Sequence, residues 1–85
     1  MSLTVKYFAS LREAIGLEEE LFEPVVGVKT AADLRTFLCE RGEPYATVLA
    51  AGRSVRVAIN FDMVEPTAVL PASGEVAFFP PVTGG

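Results

Sequence analysis

Apolar and polar positions alternate along Leu3-Thr4-Val5-Lys6-Tyr7-Phe8, which predicts a strand with Leu3, Val5 and Tyr7 on one face. A short helix over residues 10–16 follows, with Ser10 as its N-cap and Gly16 just past its end. Leu21-Phe22, after the acidic run Glu18-Glu19-Glu20, predicts a second strand that stops at Pro24. The clearest helix spans residues 31–41. Thr30 caps it, and Asp33 at its third position favours the positive end of the helix dipole. Ala31, Leu34 and Leu38 form, with Phe37, the stripe of a helix lying on a sheet. Gly42 and then Glu43-Pro44 stop it. Residues 45–51 predict another short helix. Residues 54–60 alternate again, with Val55, Val57 and Ile59 inward, and Phe61-Asp62 turn the chain into a short strand around Met63-Val64, ended by Pro66. A turn over residues 71–74 leads to the last strand, residues 75–79.

Strands on both sides of one substantial helix predict an α+β domain: a mixed sheet with the main helix across one face. This is the β-grasp arrangement. In it the first and last strands lie side by side at the centre, an expectation that comes from the fold and not from the periodicity. The expected division is a domain over residues 1–79 and an extended, flexible tail over residues 80–85.

Alternation also exposes an anomaly. On the first strand Phe8 falls with Thr4 and Lys6, opposite the core set. On the last strand Phe79 shares a face with Glu75 and Ala77, while Val76 and Phe78 point inward. Met63 joins them if its register holds. Two explanations fit: an open-face patch for a partner, or strand ends that twist and fold these rings under a loop.

Composition narrows the function. The 85 residues make one small domain, about half apolar, with seven Lys/Arg against eleven Asp/Glu and a net charge of −4. No basic cluster is present to neutralise phosphates, so nucleic-acid binding is disfavoured. A single cysteine, Cys39, cannot form an internal disulfide. With no signal peptide and no membrane-length apolar run, a soluble, reduced, cytoplasmic protein is expected.

There is no histidine, so neither a Cys/His pair nor a zinc cluster can be built. Cys39 reads as a small buried hydrophobe. The side chains of Glu18-Glu19-Glu20 diverge, which predicts a solvated charged face and no metal site. What remains is the end of the chain, Phe78-Phe79-Pro80-Pro81-Val82-Thr83-Gly84-Gly85. Two glycines without Cβ atoms make a thin tip, and Pro80-Pro81 give it a stiff base. From Pro81 it reaches roughly 16–18 Å in an extended conformation, which makes the α-carboxylate of Gly85 a chemical handle. A frayed end is the alternative reading of Gly-Gly taken alone.

Residues 76–85 closely resemble the tail of the small, sulfur-carrying subunits of molybdopterin synthase, a family of ubiquitin-like β-grasp proteins. Tyr7-Phe8-Ala9-Ser10-Leu11-Arg12-Glu13, followed by Gly16, and Ala58-Ile59-Asn60 resemble the same family's first strand and helix and its middle strand. The resemblance implies that a ubiquitin-activating-like enzyme uses ATP to adenylate Gly85 and that a sulfurtransferase converts the glycyl adenylate to a thiocarboxylate. It implies docking on the large synthase subunit in a heterotetramer, with Pro80, Pro81, Val82, Thr83 and Gly84 threading into that subunit's active site. There sulfur passes to cyclic pyranopterin monophosphate. Phe8, Met63 and Phe79 match the family's apolar contact surface. No bound cofactor, metal or membrane is implied. Phe61 and Ser73-Gly74 depart from the family pattern, in turns expected to lie away from the tail. The competing readings are a sulfur carrier for thiamine or a tungsten-type cofactor, a ubiquitin-like modifier of protein lysines, and an interaction module whose tail is incidental.

Overall fold

The computed structural model describes residues 2–81. Five strands form one sheet: β1 (Leu3–Tyr7), β2 (Glu19–Phe22), β3 (Arg56–Ile59), β4 (Asp62–Val64) and β5 (Gly74–Phe79). Their order across the sheet is β2-β1-β5-β3-β4. The first and last strands pair in parallel, Val5 opposite Val76 and Tyr7 opposite Phe78. Every other pairing is antiparallel. The mixed sheet and the central position of β1 and β5 are those of a β-grasp domain. Among the described residues, no helix is long and apolar enough to cross a membrane.

Three helices accompany the sheet: α1 (Ala9–Ile15), α2 (Ala31–Glu40) and α3 (Tyr45–Val48). Leu34 and Leu38 of α2 are fully buried together with Leu3, Val5, Tyr7 and Val76 of the sheet. Each such side chain contributes about 1.5–3 kcal/mol by leaving water. The start of α2 is fixed by its own sequence. Thr30 Oγ1 accepts from Asp33 N at 3.1 Å, and Asp33 Oδ2 accepts from Thr30 N at 3.1 Å, a reciprocal capping box. That cap also holds the Asp33 carboxyl below its ordinary range, because the backbone N–H groups of Lys29 and Thr30 favour its charge.

Three local expectations are corrected. Ser10 does not cap α1. The helix begins one residue earlier, after Phe8, and no side chain caps it. The reason lies in the sheet: Phe8 N still donates to Phe78 O at 3.1 Å, so the chain leaves β1 and enters the helix at once. The helix expected over residues 45–51 ends at Val48. Beyond it the Arg35 guanidinium gathers the carbonyls of Leu49, Ala50 and Arg53, which redirects the backbone. Finally, β2 begins at Glu19 and so takes in Glu20 of the acidic run.

Candidate functional site

One face of the sheet carries the helices and the other is open. Strand parity assigns Lys6 of β1, Glu75, Ala77 and Phe79 of β5, Ala58 of β3 and Met63 of β4 to the open face. These residues line a groove of about 740 Å³. Its floor is the cross-strand pair Ala58 and Ala77, both buried although they face away from the core. Small side chains at the floor leave room, and larger ones form the walls.

One wall is aromatic. Phe8 and Phe79 meet edge to face, their ring centroids 5.7 Å apart at 67°, a geometry favoured by the ring quadrupole. Phe8 remains 43% exposed. Opposite stand Met63 and Phe61, 51% and 83% exposed. The polar end of the groove is closed by Lys6 Nζ, 3.1 Å from Glu75 Oε1. The hydrogen bond and charge of Glu75 push the Lys6 ammonium above its ordinary pKa, so it stays charged. Pro80 and Pro81 line the groove as well.

Thus Phe8, Met63 and Phe79, expected from parity to share a face, lie together in one groove, and Pro80 and Pro81 adjoin them. The expectations for Val82, Thr83, Gly84 and Gly85 lie outside the described residues.

The turn that carries Phe61 lies, as expected, at the end of β5 away from the tail, beside Glu75, yet Phe61 lines the same groove that Pro80 and Pro81 line. The turn between β3 and β4 places it there. Asn60 and Phe61 have φ of 48° and 73°, left-handed at both positions, as a type I′ hairpin turn requires. The usual pair there is Asn-Gly; a phenylalanine at the second position was the available signal. Asn60 also ties the turn to β5: its Oδ1 accepts from Glu75 N at 2.9 Å, and its N donates to Glu75 O at 2.8 Å. Gly74 makes this possible. A Cβ there would run into Asn60 Oδ1, at a φ of +130° that side chains rarely adopt. Gly74→Ala is therefore expected to cost about 2 kcal/mol, read as a lower urea midpoint. An unchanged midpoint would show that Asn60 swings clear at no cost.

The acidic run is a correction. Glu18 and Glu19 are largely exposed, but Glu20 is turned inward. Pairing with Val5 puts Glu20 on the helix side of the sheet, beside Phe22 in the alternation. Its carboxylate accepts from Tyr7 Oη at 2.8 Å, Tyr45 Oη at 2.7 Å and Arg41 Nη1 at 2.6 Å. Burial alone would raise its pKa, but Arg41 and the two phenols outweigh burial and hold it below the ordinary value. Burial and the same carboxylate push the Tyr7 phenol far above its usual range. This cluster ties β2 to α3 and to Arg41 at the end of α2.

Cys39 is half-buried, and its Sγ donates to Leu49 O at 3.2 Å. Burial raises its thiol pKa, which disfavours the nucleophilic thiolate. Among the described residues, no group of three or more Asp, Glu, Cys or His side chains is placed to hold a metal. The charged groups of the groove, Lys6 and Glu75, are paired with each other, and the rest of its lining is apolar, a surface suited to recognition.

The ThiS family model matches residues 5–85. The molybdopterin synthase sulfur carrier subunit of Haemophilus influenzae is 37% identical over 83 residues, covering 98% of this chain and 99% of that protein. The solution structure of the small archaeal modifier protein 1 from Methanosarcina acetivorans is similar with a TM-score of 0.70 and 27% identity, covering 99% of this chain and 96% of that one. A chain from a complex of subunits 1 and 2 of molybdopterin-converting factor from Helicobacter pylori shares the fold, with a TM-score of 0.66 and 21% identity over the whole of both chains.

Proposed function

The chain belongs to the ThiS family and is a sulfur carrier of molybdopterin synthase; we propose that the carboxylate of Gly85 carries the sulfur and that the open-face groove seats the synthase's large subunit. The observation that supports this most directly is continuity. The apolar groove runs into Pro80-Pro81, the base of the segment that ends at Gly85. A protein seated in the groove is thereby next to the tail.

The chemistry follows from what a carboxylate lacks. Its oxygen is a poor leaving group, so sulfur cannot replace it directly. Transfer of AMP from ATP gives an acyl adenylate and pyrophosphate. A sulfur donor then attacks the carbonyl and expels AMP; from a persulfide donor the product is an acyl disulfide, which a thiol reductant cleaves to a thiocarboxylate with a nucleophilic terminal sulfur. We assign adenylation to a ubiquitin-activating-like enzyme and the sulfur to a sulfurtransferase. The sulfur acceptor is cyclic pyranopterin monophosphate, bound by the large subunit. The carrier's own contributions are a rigid docking face and an unhindered last residue.

Two measurements test this reading. Intact-mass analysis of the carrier from its host should show sulfur in place of oxygen at Gly85, and the charged carrier with its large subunit should convert the pyranopterin. Finding the unmodified carboxylate alone, with the activating enzyme present and active, would sink the carrier mechanism. The likeness to an archaeal modifier protein favours one second reading, attachment to protein lysines; lysine conjugates of Gly85 in the same mass analysis would support it.

The docking half has its own prediction. Met63→Glu places a charge on the exposed groove wall without touching the core. It is expected to weaken large-subunit binding at least tenfold, because the new carboxylate must be desolvated on docking. Calorimetric titration checks this, and undiminished affinity would remove the groove from the interface.

A further inference from the structure

We propose that Phe61 is a specificity anchor by which this carrier distinguishes its own large subunit from those of related synthases. The proposal rests on the docking role given above to the groove.

Two properties of Phe61 work against the isolated fold. Its φ of 73° lies in the left-handed region, which glycine enters freely and a bulky residue does not. Its ring is 83% exposed, so the apolar surface stays in water. Among the described residues, Phe61 belongs neither to the core nor to the side chains packed against it, so core burial does not offset either cost. A residue that is strained and unburied at once, where glycine would relieve both conditions, points to a contact made with another molecule.

Position identifies that molecule. Phe61 and Met63 face Phe8 and Phe79 across the alanine floor, and Pro80 and Pro81 line the same groove. The protein that receives the tail therefore covers this ring. A second copy of the chain is disfavoured, because each copy carries a net charge of −4 and the groove adds no basic surface beyond Lys6, already paired with Glu75. The ring is also presented on a fixed base, since Asn60 bonds twice to Glu75 and Gly74 leaves room for it. An aromatic side chain, with about two rotatable bonds, loses little freedom on docking. The partner feature it fits is an apolar hollow of ring size beside the entrance to the large subunit's active site.

The experiment titrates the full-length carrier, as wild type, Phe61→Gly and Phe61→Leu, into two large subunits: that of its own organism and that of the Haemophilus influenzae synthase. Thermal unfolding is followed in parallel. Phe61→Gly is expected to bind its own large subunit about tenfold to fiftyfold more weakly and the other within about twofold of wild type. Its unfolding midpoint is expected to stay level or rise, because glycine relieves the turn. Phe61→Leu should recover part of the affinity.

Wild-type affinity in Phe61→Gly would overturn the proposal, and so would equal weakening toward both large subunits. A midpoint that falls along with the affinity would make Phe61 a folding residue and overturn it too. Self-association of the wild type that Phe61→Gly abolishes would assign the ring to a second copy instead. Failure of the wild type to bind its own large subunit would remove the docking reading itself, a result distinct from a failure confined to Phe61.

Discussion

Deleting Gly85 is expected to abolish sulfur transfer and to leave the fold intact. The shortened chain still ends in a glycine carboxylate, so the chemistry of the group is unchanged and only its reach differs. One residue is worth about 3.5 Å of extended chain. A displacement of about 1 Å from a reactive geometry already costs on the order of 10²-fold. A loss of at least about 10³-fold in pyranopterin conversion is therefore expected. Stability should not follow, because the buried cluster among the described residues runs from Leu3 to Phe78. Turnover by the truncated carrier with purified activating enzyme and large subunit checks the first part, and the thermal midpoint checks the second. Conversion near the wild-type rate would refute the assignment of Gly85 as the sulfur-bearing residue.

Replacing Glu20 should have the largest effect on stability. Glu20→Ala leaves the Tyr7 hydroxyl without its acceptor in a residue with no exposed surface. It also releases Tyr45 and Arg41, whose guanidinium lies 5.5 Å from the Tyr45 ring centroid and 5.9 Å from that of Phe37. A cost of about 2–4 kcal/mol is expected, measured by urea unfolding near neutral pH. The carboxylate's depressed pKa fixes the pH dependence. Its contribution is fully present above the unfolded value, about 4.3, and is lost as pH falls through the lower folded value. Asp33 titrates in the same sense and adds to the acid slope. The difference in stability between wild type and Glu20→Gln should therefore shrink on acidification below about pH 4. On the alkaline side the raised Tyr7 phenol acts in the opposite sense. Its contribution is present below the ordinary phenol value, about 10, and is lost as pH rises above it. A difference between wild type and Glu20→Gln that did not vary with pH would mean that the cluster carries no net charge coupling.

The element order and the inward face of each strand follow from period-two alternation, which is local and is written in neighbouring residues. It puts Leu3, Val5, Tyr7, Val76 and Phe78 on the face that is buried, and Phe8 and Phe79 on the opposite one. The start of α2 was legible because Thr30 and Asp33 lie three residues apart and bond to each other. Gly84-Gly85, the absence of histidine and the single cysteine leave the end of the chain as its candidate chemical handle.

Tertiary structure decided everything that depends on pairing across the sequence. Three consecutive glutamates look alike until β2 pairs with β1; that register turns Glu20 toward two tyrosines and an arginine and leaves Glu18 and Glu19 in water. Ala58 and Ala77 became a floor only when β3 met β5. Phe61 entered the groove because a left-handed turn, latched to the start of β5 by Asn60, folds it over the open face. Alternation tells which side of its own strand a residue occupies, but the neighbours it meets there are set by contacts between strands far apart in the chain.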